Sequence, residues 1–202
     1  MALLFANNNS LSAITTKPSG LSGGSLNLIS TQTASSSSTI SFTSGIDSTY
    51  DEYVFKFYDI HPASNTVNFQ INASTDGGSN YNVTKTTTYF LAYHTENDSG
   101  YALQYYANRD LAQSTSAQQI VTIGNANDDS ASGTLTLYNP SSTTFVKHFM
   151  SRQQAPTGEA TQNCKDTYVA GYFNTTSAIN AVQFTMSSGN IDSGVIKLYG
   201  VS

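Results

Sequence analysis

With 202 residues, a net charge of −5 and a pI near 4.9, this chain cannot build the broad basic surface that neutralises nucleic-acid phosphates or holds an anionic membrane. A single cysteine, Cys164, excludes an intramolecular disulfide framework. Only 10% of the residues are charged and Trp is absent, while 38% are hydrophobic, too many for disorder over the whole length. Ser, Thr, Asn, Gly and Tyr dominate instead, a composition that suits turns, solvent-facing strands and half-buried pleated surfaces.

The N-terminus, MALLFANNNS, opens with an apolar run from Ala2 to Ala6 that stops at three asparagines and has no positive flank. Such a run is too short for a secretory signal or a membrane span, so export by that route is not expected. From Lys17 to Ser38 the chain reads KPSGLSGGSLNLISTQTASSSS, whose Gly and Ser density does not repay the entropy of folding alone. Residues 1–36 are therefore expected to form an arm with a Gly/Ser-rich linker, and 37–202 a single domain. Leu3, Leu4 and Phe5 give the arm an apolar tip, the expected partner-binding element.

From Ser38 onward the period-2 signal dominates. In EYVFKFYDI, Tyr53, Phe55 and Phe57 fall on one face, and in TVNFQINAS the inward set is Val67, Phe69, Ile71 and Ala73, with Thr66, Asn68, Gln70 and Asn72 toward water. IHPASN and TDGGSN supply reversals. Further strand candidates are YNVTKTTTYFLAYHT, YALQYYA, QQIVTIG, GTLTLYN, TTFVKHFMS, DTYVAGYF, AVQFTMSS and GVIKLYGV. Only NRDLAQSTSAQQ has helical leanings. Roughly eight to eleven strands at this spacing predict an all-β antiparallel sandwich, with the jelly roll as its expected form and the aromatics mainly in its core. The echo between SFTSGIDS (41–48) and QFTMSSGNIDSG (183–194) fits two strands ending in similar corners, not a duplicated domain.

The residues that carry chemistry do not assemble into a catalytic pattern. No Gly-x-Ser-x-Gly elbow is present, and His61, His94 and His148 are isolated: His61 reads as a turn residue and His148 as a satisfied core or interface side chain. His94 with Glu96 and Asp98 is the nearest approach to a metal or acid/base cluster, in an acidic loop where the spacing arises readily by chance. Asp128 and Asp129 in GNANDDSASG miss the EF-hand pattern and read as a solvated turn. The Asn-x-Ser/Thr matches at Asn72, Asn82 and Asn174 follow from composition. No catalytic residue, metal site or cofactor is expected.

The start MALLFANNNS and the phrases STISFTSGIDSTYDEYVFKFYDIHP, NASTDGGSNYN, NPSSTTFVKHF, VAGYFNTTSAINAVQF and SSGNIDSGVIKLYGV together resemble virion structural proteins of tailed bacteriophages, many of them marine. The likeness covers most of residues 37–202. It implies a non-enzymatic β-sandwich displayed on a virion, often as a homotrimer or another symmetric oligomer, with the major capsid protein or another virion protein as partner and assembly in the host cytoplasm. A capsid decoration (cement) protein held by its N-terminal arm fits the small size and the apolar tip. A tail fibre or receptor-binding protein recognising host-surface glycan fits the Tyr and Asn content, although no heptad or collagen-like shaft precedes the sandwich. A free carbohydrate-binding module is the third alternative.

Overall fold

A computed structural model describes residues 26–156 and 162–202 of the chain. Within them twelve strands form: β1 (Leu26–Ser37), β2 (Thr39–Phe42), β3 (Glu52–Pro62), β4 (Val67–Ser74), β5 (Lys85–Thr95), β6 (Tyr101–Tyr105), β7 (Gln118–Ile123), β8 (Ala131–Tyr138), β9 (Lys147–Pro156), β10 (Asn163–Phe173), β11 (Ala181–Met186) and β12 (Ile191–Val201). They make an eight-stranded sheet of order β1-β12-β3-β8-β9-β10-β5-β6 and a four-stranded sheet of order β2-β11-β4-β7. Every strand pair is antiparallel.

The pairings β1/β12, β2/β11, β3/β8 and β4/β7 nest one inside the next, and β12/β3 and β11/β4 join them into two four-stranded layers. That is a jelly roll, the form expected from the strand spacing. Two hairpins are inserted into it. β5 and β6 lie between β4 and β7 in the chain, β9 and β10 between β8 and β11, and both hairpins dock on the free side of β8 to widen one sheet from four strands to eight.

The alternation read from the sequence places the core. Tyr53, Phe55 and Phe57 of β3 and Val67, Phe69, Ile71 and Ala73 of β4 are buried between the layers. Phe184 packs edge-on against Phe42, Phe55 and Phe57, and lies nearly parallel to Phe69. Such ring pairs contribute about 0.5–1.5 kcal/mol each beyond their buried area.

Several expectations are corrected. Residues 26–36 are not linker: they form most of β1, which pairs along its length with β12. The Gly-rich run ends at Gly24, and an edge strand with few inward side chains holds its place by the backbone ladder, which Ser, Thr and Gln accept. The rest of the proposed arm, with Leu3, Leu4 and Phe5, lies outside the described residues. Asn72 is buried rather than turned to water: Nδ2 donates to the carbonyl of the loop residue Thr115 (3.0 Å) and Oδ1 accepts from the Ala73 amide. The segment with helical leanings begins in a 3-10 turn, Ala107–Arg109, continues as loop that bonds the edge of β5 through Leu111 and Ser114, and ends in the first residues of β7. The echoing segments begin on paired neighbours, Ser41 opposite Gln183, and each turns on a glycine of positive φ, Gly45 and Gly189.

Candidate functional site

The three histidines stay apart. His61, at the end of β3, has Nδ1 2.6 Å from the carbonyl oxygen of Asp129 and so ties that strand to the loop between β7 and β8. Asp129 is buried and accepts from the Ala126 amide, which makes it a turn-closing residue rather than the solvated one expected. His94 Nε2 and Asp98 Oδ1 are 3.1 Å apart at the surface and the imidazole stacks on Tyr101, but Glu96 does not join them. His148 is exposed beside the Tyr172 ring and is not a core residue. Among the described residues, no group of three or more His, Cys, Asp or Glu is placed to hold a metal ion, and no helix is long and apolar enough to cross a membrane.

The most developed surface is the outer face of the eight-stranded sheet. Cross-strand register aligns Lys197, Lys56, Thr134, Arg152, Tyr168, Phe90 and Tyr105 in one row from β12 to β6. Phe90 and Tyr168 stack in parallel at 4.9 Å, and the Arg152 guanidinium lies 5.0 Å from the other side of Tyr168. Arg152 also grips the Asp166 carboxylate in bidentate fashion, with Nη2 to Oδ2 at 2.7 Å, and the Tyr168 hydroxyl donates to the same oxygen. That carboxylate raises the Arg152 pKa, and Arg152 holds Asp166 below the usual carboxylate value. Lys197 and Lys56 are directly opposite one another and rest over the rings of Tyr58 and Tyr199.

Beside this row Tyr138, His148, Met150, Ala170 and Tyr172 line an open groove of about 520 Å³. At the sheet edge Tyr101, Leu103 and Tyr105 are 77%, 74% and 62% exposed. The expectation that the aromatics are mainly core therefore holds for the phenylalanines of the first strands and fails for many tyrosines, whose hydroxyl tolerates water while the ring covers the sheet. Sequence reading identified YALQYYA as a strand, but only topology shows that it is an edge.

Two charged groups were missed altogether. Lys85 and Lys147 are both fully buried, opposite Phe173 from either side in one cross-strand row. Lys85 Nζ donates to the Ser116 carbonyl (2.6 Å), and Lys147 Nζ donates to the carbonyls of Phe145 (2.9 Å) and Thr175 (3.1 Å). Burial pulls the Lys85 pKa down to about 8 and lowers that of Lys147 as well. Both serve to close loops over the open end of the inserted strands. The inward phase of KTTTYFLAY for Lys85 and of KHFMS for Lys147 was their only sequence signal.

Comparison with protein-family models, with curated proteins and with solved structures finds no match for this chain.

Proposed function

We propose that this protein is a non-enzymatic virion structural protein of a tailed bacteriophage, a capsid decoration protein that attaches to the major capsid protein or another virion protein through Leu3, Leu4 and Phe5. The observation that carries this reading is the widened outer face of the eight-stranded sheet, where aromatic and aliphatic side chains remain exposed on a body whose core is already closed. Contiguous exposed apolar surface of this kind marks a contact with other macromolecules. Jelly rolls recur in capsid and lectin domains, a fold-level analogy that agrees with the phrase resemblance. The described residues begin at Leu26 on β1, the outermost strand at one rim of the eight-stranded sheet. Assembly as a homotrimer on the particle belongs to the same proposal. Its test is detection of the protein in purified particles, and its loss from them when residues 2–16 are deleted.

A second reading, a receptor-binding or carbohydrate-binding protein that recognises host-surface glycan, is favoured by the groove between Tyr138 and Tyr172, which offers ring surface beside the hydroxyls of Thr86 and Thr88. The stacked pair Phe90–Tyr168 does not add to it, because each ring already covers the other's face. Glycan-array binding that is lost in Tyr172→Ala supports this second reading over decoration.

A further inference from the structure

We propose that β6 is a self-pairing edge, through which two copies of this chain join antiparallel about a two-fold axis centred on Leu103. The inference goes beyond the decoration reading and does not depend on it.

β6 is the last strand of the eight-stranded sheet, and its five residues are Tyr-Ala-Leu-Gln-Tyr. The Tyr106 amide bonds the Tyr89 carbonyl and the Thr95 amide bonds the Gly100 carbonyl. By antiparallel alternation from these two anchors, Ala102 and Gln104 direct their backbone groups at β5, while those of Tyr101, Leu103 and Tyr105 point off the sheet. The residues with outward backbone groups also carry exposed apolar side chains.

Natural edges are blunted with charge, proline or a bulge, because a bare edge is a template for another strand. β6 contains no charged residue and no proline, and its register with β5 runs without a bulge. The pattern is also palindromic: Tyr-x-Leu-x-Tyr reads the same in both directions. A two-fold through Leu103 sets it opposite its own copy and sets each Tyr101 opposite a Tyr105 of the other chain. Aromatic cross-strand pairs are among the favourable ones. The pairing satisfies every outward donor and acceptor of the strand, about six backbone hydrogen bonds in all. Phe90 and Tyr168, which follow Tyr105 in the same row, continue the apolar strip on each side of the joint. An isologous contact of this kind closes on two chains, so a trimer would have to be held by another surface.

The test is the solution mass of the full chain by light scattering or sedimentation, with three variants. The proposal expects twice the 21.6 kDa chain mass for the natural protein. It expects a monomer for Leu103→Asp, which places two carboxylates opposite each other at the axis, with an unchanged far-ultraviolet spectrum. Leu103→Cys, in a Cys164→Ser background that removes the exposed native thiol, is expected to cross-link into dimers with a short bis-maleimide. Should Leu103→Asp fail to fold, the cross-link alone decides. A natural protein that stays monomeric to roughly 100 μM, a trimeric mass, a dimer that survives Leu103→Asp, or no cross-link at position 103 overturns the proposal.

Discussion

Phe69 and Phe184 lie ring on ring, centroids 5.6 Å apart and 22° from parallel, on the paired strands β4 and β11. Phe57 meets both edge-on from the opposite sheet. The three rings join the two layers.

Replacing Phe69 therefore tests the fold. Phe69→Ala is expected to cost about 3–5 kcal/mol, and Phe69→Asp to prevent folding, because an unpaired charge would replace a buried ring. Gln70→Asp, on the other face of the same strand, should melt within a few degrees of the natural protein. Equal losses from Phe69→Asp and Gln70→Asp in thermal denaturation contradict the face assignment.

Lys85 gives the protein a pH dependence. Its pKa falls from 10.5 to about 8 on folding, so between those values the unfolded chain binds more protons and stability rises with pH. Below pH 8 the burial penalty is constant, and its upper limit is about 3 kcal/mol, reduced by the bond to the Ser116 carbonyl. Burial raises the Tyr53 phenol, which acts in the opposite sense above pH 10, so the clean window is pH 8 to 10. Urea titrations across it should show stability increasing. Lys85→Met should be more stable at pH 7 and shallower across the window, the remaining rise coming from Lys147, whose pKa burial also lowers, and an unchanged slope in that variant assigns the effect elsewhere.

Asp76 acts at the acid end. Oδ1 accepts from the Ser74 hydroxyl (2.6 Å) and the Asn80 amide, and Oδ2 from Asn80 Nδ2, which holds the carboxyl at about 2. A carboxylate depressed on folding stabilises above its unfolded value of 3.8, and that contribution is lost as pH falls toward 2. Asp76→Ala should lower the melting temperature at pH 6, and the gap to the natural protein should shrink as pH falls from 4 to 2. A constant gap means that the variant disturbs the turn sterically and not through its charge.

The fold was legible wherever one side of a strand is buried and the other wet, as in Phe69 beside Gln70. β1 was not, because Ala34 is its only fully enclosed hydrophobic side chain and pairing with β12 supplies what composition does not. The positions of the inserted hairpins were equally hidden, since β8 pairs β9 and β10 pairs β5 through contacts that no local pattern encodes. At the surface, the closeness of His94 and Asp98 followed from a four-residue spacing across a turn. Lys85 and Lys147 were invisible because a lysine is read as a solvent marker, whereas loop carbonyls here accept its protons inside the sheet.

The proposed role of residues 2–16 is tested by removing them. Deleting residues 2–16 should leave a folded domain with an unchanged far-ultraviolet spectrum, because the described sheets begin at Leu26. On the proposed attachment, loss of Leu3, Leu4 and Phe5 would remove about 5 kcal/mol of apolar burial per attached copy before ordering costs, so the truncated protein should bind particles poorly. Full occupancy by the truncated protein would move the docking surface to the sandwich.

The claim that the protein decorates the head is tested most directly by its copy number in purified particles, measured by quantitative mass spectrometry against the major capsid protein. The account predicts a fixed, lattice-wide ratio to that protein. A handful of copies per particle, or none, contradicts it.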